Sequence, residues 1–397
     1  MNNNVGKISF FSMFALWFGA AVSLAEIMTG SLLAPLGLAK GLTAIIAGHL
    51  IGTLILALVG VIGFREKKPS LLASRISLGR QGSYLVSVFN IIQLVGWTAI
   101  MLIQCARSLQ SITGRMWGFD NFIILVIVTG LLVGIWTLYM HKGVSIVNNI
   151  AVILLLGLTI LLMKAVLSGG GAMIPAESGM SFGVALELSI IMPLSWVPLI
   201  SDYTMNAQNE RRSFWGSFLG YFLGSSFMYA TGLLAALYTG TSDPVGILAG
   251  MNLGLAALLI VILSTVTTTF LDVFSAVMST LNLNGALSRR TLIILFTILG
   301  TVLALVFPME EYESFLYMIG SVFAPVFTVV LIDYFYLGAD RSRERVNLPG
   351  LLAAALGVVA YYIAGGYDLP VGSTLPAMLL TTAAYLILTK FYAKKNG

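Results

Sequence analysis

Four positions on one stretch of this chain could hold a flat aromatic molecule. Gln93, Trp97, Met101 and Gln104 are spaced by 4, 4 and 3, so on a helix they share one face. The indole of Trp97 offers a π-surface for stacking, and the two amides offer donors and acceptors to a ring edge. Three acids, Glu26, Glu187 and Asp272, stand inside apolar runs. A charge at the centre of a bilayer costs at least about 2.5–3.5 kcal/mol, so each is a candidate for function by default. Asp272 follows Thr267, Thr268 and Thr269 by about one helical turn. A carboxylate there accepts hydrogen bonds from an exocyclic amine. Adjacent threonine hydroxyls, with carbonyls freed by a broken helix, supply the hard oxygens that Na⁺ takes. Threonines in membrane helices also bond their own i−4 carbonyls, which is the competing use. His49 suits either an interhelical hydrogen bond or a proton relay. Glu187 suits a helix cap or a gate. Asn148 and Asn149 would line an inner pathway or bridge helices.

These residues need a membrane-spanning frame. The chain has 397 residues, 58% of them apolar and 9% charged, against about 25% charged for a soluble domain. Runs of about 20 apolar residues recur, each long enough to cross the hydrocarbon as a helix. Twelve spans are predicted, at 9–34, 41–63, 82–106, 121–140, 146–167, 181–202, 214–239, 252–282, 290–307, 313–337, 349–366 and 372–390. With the N-terminus inside, seventeen of the 21 Lys and Arg residues fall on the cytoplasmic side; Lys40, Arg107, Arg115 and Lys164 do not. The positive-inside rule therefore places both termini in the cytoplasm, in a cell (inner) membrane, and an odd number of spans would break the tally. The single Cys105 excludes an intramolecular disulfide, and two histidines with one cysteine argue against a multi-ligand metal centre. Basic residues confined to short loops do not suggest nucleic acid. No cleaved signal peptide is expected.

The spans differ in texture. Span 1 carries Trp17–Ser31, WFGAAVSLAEIMTGS, with small residues around a glutamate. Span 6 carries Ile191–Tyr203, IMPLSWVPLISDY, with prolines five residues apart. Proline removes a backbone donor and clashes with the preceding turn. Broken backbone survives in lipid only where it is buried or lines a cavity. Interrupted helices at matching places in two halves point to a transporter binding site. Spans 1 and 6 open a first half, 1–167, and a second, 181–337; helices 11 and 12 occupy 349–390. All of 1–397 then forms a single transmembrane domain.

Four segments resemble the nucleobase:cation symporter family, which includes cytosine permease and the allantoin and hydantoin transporters, and within it the hydroxymethylpyrimidine permease branch. They are ALWFGAAVS in span 1; LLASRISLGRQGSYL leading to QLVGW in span 3; the span 6 core ending Ser201-Asp202-Tyr203; and TVTTTFLD in span 8, with LIDYF closing span 10. The resemblance covers about the first 340 residues. It implies the LeuT-type fold: an all-α membrane protein with a 5+5 inverted repeat, two extra C-terminal helices, and discontinuous helices 1 and 6. It implies that Trp97 stacks on the base. It puts the second aromatic platform of the family on Pro193, a departure, with Trp196 one turn further along as the substitute. Met192, Leu194 and Ser195 would offer backbone groups beside the break. The family segment around Asp272 reads the pyrimidine edge, and Glu26 would meet substrate or carry a coupling proton. The family sodium site maps to the hydroxyls of Thr268 and Thr269 and the carbonyls of Thr265, Ala21 and Leu24.

The expected function is alternating-access import of a pyrimidine-type base or a thiamin precursor with a cation, Na⁺ first. Trp97, Gln93, Gln104, Glu26, Met192, Pro193, Ser195, Trp196 and Asp272 would bind substrate. No cofactor and no obligate protein partner are expected; membrane lipid surrounds the chain. The alternative is proton-coupled transport of a purine, a hydantoin-like compound or an amino acid on the same fold, although Glu26 would repel an amino acid's carboxylate. An enzyme is not expected, since the chain lacks paired metal ligands, a Gly-x-Ser-x-Gly elbow and a phosphate loop. Intramembrane acids beside broken helices argue against a scaffold.

Overall fold

The computed structural model describes residues 7–139, 179–240 and 254–396, with scattered helical positions between 150 and 167. Most of the span expected at 146–167, including Asn148 and Asn149, lies outside the described residues, as does Lys142. In the order of the chain the helices are α1 (Phe10–Ala21), α2 (Leu24–Leu32), α3 (Leu38–Glu66), α4 (Ser70–Ala73), α5 (Arg75–Trp117), α6 (Phe122–Tyr139), α7 (Phe182–Ser195) and α8 (Ile200–Thr204). They continue as α9 (Glu210–Thr239), α10 (Gly254–Leu283), α11 (Arg289–Val306), α12 (Tyr312–Leu331, running into a π turn at Ile332–Leu337), α13 (Leu348–Gly365) and α14 (Thr374–Asn396). Nine helices among the described residues are long and apolar enough to cross a membrane, and the bent pair α1–α2 makes a tenth. The apolar helix α7 is shorter, at 14 residues. Side chains such as Leu131, Val306 and Leu379 are more than half exposed on the outer helices, where only lipid can cover them.

Both interruptions have local causes. Ser23 adopts extended backbone and its hydroxyl accepts from the Glu26 N–H, so it caps a new helix in mid-span. The axis bends by 58° there. In span 6, Pro198 cannot donate to the Leu194 carbonyl. That carbonyl accepts instead from the Val197 N–H at 3.1 Å, Pro193 O accepts from Trp196 N–H at 3.2 Å, and helix resumes only at Ile200. Helix α5 runs well beyond the 82–106 expected for span 3. It is kinked at Gly79, whose φ of +74° favours glycine, and there the Arg80 and Gln81 N–H groups donate to the 344 and 345 carbonyls.

Packing divides most of these helices into two groups. In one, α1 and α2 lie along α9, and α3 lies between α9 and the α7–α8 segments; in the other, α5, α6, α10 and α11 pack together. α12 touches both, through α7 and α5, and α13–α14 flank it. The first group is held by very close approach. A Cβ at Gly232 would strike the Ile27 carbonyl, and one at Gly30 would strike the Tyr229 backbone. Small residues let membrane helices touch backbone to backbone. Gly232→Ala is therefore expected to destabilise the fold by roughly 1–3 kcal/mol, read as a lower melting temperature in detergent. Gly285→Ala, whose nearest obstacle is the Leu281 carbonyl 3.7 Å away, should leave it unchanged.

Candidate functional site

The two groups meet at a small closed chamber. Its walls are Ala20, Ser23, Ala25 and Glu26 from the first span, Leu94, Trp97 and Met101 from α5, Met192, Ser195, Trp196 and Leu199 around the second break, and Thr268 and Asp272 from α10. The room inside, measured for the centre of a water molecule, is about 20 Å³, enough for one water. A single-ring base is several times larger than this space.

Trp97 is held edge-on by two rings. Tyr312 lies 6.2 Å away at 77° and Phe315 5.4 Å away at 79°, geometries that aromatic quadrupoles favour. The indole is 7% exposed and its Nε1 has no hydrogen-bond partner among the described residues. Asp272 is 4% exposed, and no described residue donates a hydrogen bond to its carboxyl group. The ion pairs described, at Arg65–Glu210, Glu66–Lys68, Asp333–Arg341 and Glu344–Arg341, involve neither Asp272 nor Glu26. A buried carboxyl group without a partner is costly unless something else binds it.

Glu26 has the opposite character. Its Oε1 accepts from Tyr221 Oη at 2.7 Å, and Oε2 lies 2.6 Å from Ser225 Oγ. Ser225 Oγ is also 2.6 Å from His49 Nε2, and His49 Nδ1 is 2.8 Å from the Ile45 carbonyl. A carbonyl only accepts, so Nδ1 carries its hydrogen there. The contacts Tyr221–Glu26, Glu26–Ser225 and Ser225–His49 then need three hydrogens, and the two hydroxyls supply two. The third must sit on Glu26 or on His49 Nε2, so the network holds one proton more than a carboxylate and a neutral imidazole would.

The threonine run divides its work. Thr267 spends its hydroxyl on the Leu263 carbonyl at 2.8 Å and Ser264 O at 3.1 Å. Thr269 Oγ1 is buried with no partner among the described residues, and Thr268 lines the chamber opposite the α1–α2 break. A spare buried hydroxyl beside a broken helix fits a hard cation better than it fits the interior of an ordinary helix. Ala21, Leu24 and Thr265 flank these walls. The Ala21 carbonyl already accepts from the Ser23 N–H at 3.0 Å, which leaves it one lone pair.

Three residues expected at the substrate stand elsewhere. Gln93 Nε2 donates to Asn90 Oδ1 at 2.7 Å and to the Ser195 carbonyl at 2.8 Å. It ties α5 to the second break and does not line the chamber. Gln104 Nε2 reaches the Met28 sulfur at 3.3 Å, and Pro193 packs against Gly52. On α5 the chamber faces Leu94, Trp97 and Met101, a direction roughly 70° round the helix from Gln93 at 100° per residue. Ala20, Ser23, Ala25, Leu94 and Leu199 were not singled out from the sequence, nor were Tyr221 and Ser225. Tyr221, Ser225 and Tyr229 do form an i, i+4, i+8 polar stripe in an apolar span, a signal that could have found them.

The family whose description reads "Permease for cytosine/purines, uracil, thiamine, allantoin" matches residues 6–388. This chain belongs to that permease family. The cytosine permease of Escherichia coli (strain K12) is 27% identical over 368 residues, covering 89% of this chain and 84% of that one. Among solved structures, Mhp1, a nucleobase-cation-symport-1 family transporter in a closed conformation with bromovinylhydantoin bound, superposes with a TM-score of 0.83 at 19% identity, over 100% of this chain and 96% of the other. The inward-facing conformation of Mhp1 gives 0.81 at 17% identity, over 100% and 94%. The permease is thus a multi-pass membrane transporter of nucleobase-like substrates with the LeuT-type fold.

Toward the α2 and α9 C-termini lies a larger cavity, of 1630 Å³, lined by Ser31, Glu187, Glu313, Tyr317 and Tyr361 among others. Glu187 is fully engaged there. It accepts from Tyr361 Oη at 2.7 Å, Thr374 Oγ1 at 2.6 Å, and the Ser373 and Thr374 N–H groups at 2.8 Å each. It caps α14, and has nothing left for cargo.

Proposed function

We propose that this permease imports a pyrimidine-type base, or a hydroxymethyl-aminopyrimidine precursor of thiamin, together with Na⁺. The observation that carries the reading is Asp272: a buried carboxyl group with no hydrogen-bond partner among the described residues, sharing a chamber with the ring of Trp97. An aminopyrimidine supplies both things missing there, a flat face for the indole and N–H donors for the carboxyl group. Met192, Ser195 and Trp196 close the opposite wall, while Gln93 holds the second break and Gln104 and Pro193 support the site from outside it. The name of the E. coli relative, cytosine permease, supports the substrate class.

Na⁺ would bind between the first break and α10, on the hydroxyls of Thr268 and Thr269 and the carbonyls of Thr265, Ala21 and Leu24. The spare hydroxyl of Thr269 supports this. Ion binding would join the two helix groups and raise affinity for the base, and the coupling is reciprocal. Twelve spans, a 5+5 inverted repeat with helices 1 and 6 discontinuous, an inner-membrane location and cytoplasmic termini complete the reading; the distribution of basic residues supports the orientation. A second reading, with H⁺ as the coupling ion, draws on the additional proton in the Glu26–Ser225–His49 network.

Equilibrium binding of cytosine and of hydroxymethylpyrimidine to purified permease, in Na⁺ against K⁺ and across pH, separates these readings. Na⁺ is expected to tighten binding roughly 5- to 150-fold, the usual range for linked sites, and Thr269→Val is expected to remove that gain while leaving binding in K⁺ unchanged. Binding indifferent to Na⁺ but steeply dependent on pH would replace Na⁺ by H⁺. No binding of either base would end the substrate assignment.

A further inference from the structure

We propose that the seam between α3 and α9 is a proton path, joining the Glu26 network to the cytoplasmic face by a route separate from that of the cargo. This rests on the transport reading and orientation above, and it gives the proton of the second reading a way out. The two helices run antiparallel in one register. Gly41 meets Leu233, His49 meets Ser225, Gly60 meets Ser213 and Arg65 meets Glu210. As the number rises along α3, it falls by nearly the same amount along α9, which sets Thr53 level with Tyr221 and Ala57 level with Ser217. On this line α9 carries a hydroxyl at every fourth residue: Ser213, Ser217, Tyr221, Ser225 and Tyr229. The next two positions outward are Leu233 and Leu237, and outward of His49 the facing positions on α3 are Ile45 and Gly41. The Tyr229 hydroxyl closes the outer end by donating to the Leu188 carbonyl at 3.1 Å. The seam is therefore polar from the level of the chamber to the Arg65–Glu210 pair and apolar on the other side. From Ser225 to Ser213 it covers about 18 Å of helix.

The hydroxyls of the seam are spare. Elsewhere Thr98, Thr113, Thr129 and Thr137 each donate to their own i−4 carbonyl, the usual habit of membrane threonines. Thr53 Oγ1 and Ser217 Oγ are buried with no hydrogen-bond partner among the described residues. Ser213 Oγ donates across the seam to the Gly60 carbonyl at 3.4 Å. A buried hydroxyl without a partner is destabilising, yet two stand in adjoining turns of one interface. A hydroxyl both donates and accepts, so it takes a hydrogen on one side, releases one on the other and ends unchanged. Glu26 lines the chamber, and its Oε1 is bonded to Tyr221. A hydrogen taken up by Glu26 from the chamber passes through Tyr221, Thr53, Ser217 and Ser213, with side-chain rotation or entering water closing the gaps. It leaves to water beside Glu210, so one proton moves and no other bond changes. The titratable groups facing Glu26 are His49 on α3, Tyr221 and Tyr229 on α9, Tyr312 on α12 and Asp272 across the chamber. No lysine or arginine stands among the chamber walls to hold Glu26 permanently ionised.

Right-side-out vesicles, whose lumen is the cytoplasmic side, test this with a pH-sensitive dye trapped inside. Vesicles without the permease set the background. Two drives are applied separately: uptake of cytosine, and an external acid pulse without base. Each is expected to acidify the lumen. The double variant Thr53→Val with Ser217→Ala removes both spare hydroxyls and should slow acidification by about tenfold or more under at least one drive. Thr53→Ser, which keeps a hydroxyl at that level, should retain the wild-type rate. Melting temperature and equilibrium base binding should hold in the double variant, because neither hydroxyl has a partner among the described residues and neither residue lines the chamber. Wild-type rates in the double variant under both drives, no acidification by the wild type, or loss of base binding in the double variant would overturn the path. A hydroxyl-dependent response to the acid pulse in a permease that binds neither base would uphold the path and remove the substrate assignment instead.

Discussion

Asp272→Asn is expected to weaken binding of an aminopyrimidine roughly 10- to 150-fold while making the empty permease more stable. The two effects have one cause. In the closed chamber the Asp272 carboxyl group has no donor among the described residues, and its helix crosses the membrane. Hydrogen bonds to a charged group contribute about 1.5–3 kcal/mol, which sets the range for binding. An acid in mid-membrane costs about 2.5–3.5 kcal/mol on insertion scales, and the neutral amide relieves part of this. The amide also turns one acceptor into a donor, which faces the amine of the base with the wrong polarity. Differential scanning fluorimetry of the ligand-free protein, beside equilibrium binding, reads both. A variant that loses stability together with binding would make Asp272 a structural residue. A variant that keeps full affinity would remove it from the site.

Rare polar residues in apolar spans were the legible part of this site. Glu26, Asp272, Trp97 and Thr268 stand out because lipid tolerates such side chains only with a reason, and all four line one chamber. Ser195 and Trp196 were legible through the proline pair beside them: Pro198 ends the helix, while Pro193 stands inside α7. The rotation of α5 was not legible. That helix is buried on most sides through its centre, so its pattern has no polar face to orient it, and Gln93 and Leu94 look equally eligible. Only the Ser195 carbonyl, on a helix remote in sequence, shows where Gln93 points. Tyr221 and Ser225 were hidden for a similar reason. Serine and tyrosine are ordinary in a membrane helix, and their meaning comes from Glu26, some 195 to 199 residues away. The fold was more accessible than the site, because span length and loop charge are local properties, whereas a binding chamber depends on which faces of separate helices meet.

Trp97→Ala should lower affinity for the base by about 1–3 kcal/mol, or roughly 5- to 150-fold, the usual worth of stacking one base on an aromatic ring. Alanine alone would not settle the matter. Removing a buried indole also opens a hole against Tyr312 and Phe315, and large-to-small core changes of that kind cost about 3–5 kcal/mol of stability. Trp97→Phe and Trp97→Leu separate the two effects. Phenylalanine keeps a π-face of smaller area and should retain most of the affinity. Leucine fills a similar part of the hole without a π-face, so it should match phenylalanine in melting temperature and fall toward alanine in binding. The Nε1 hydrogen of Trp97 has no partner among the described residues, so phenylalanine strands no acceptor there. If leucine and phenylalanine bind the base equally well, the indole is a packing residue and the aromatic recognition must come from Trp196 on the opposite wall. If affinity instead follows the aromatic face while stability follows volume, Trp97 is the surface on which the base lies, and Asp272, sharing the chamber with it, reads the edge of that base.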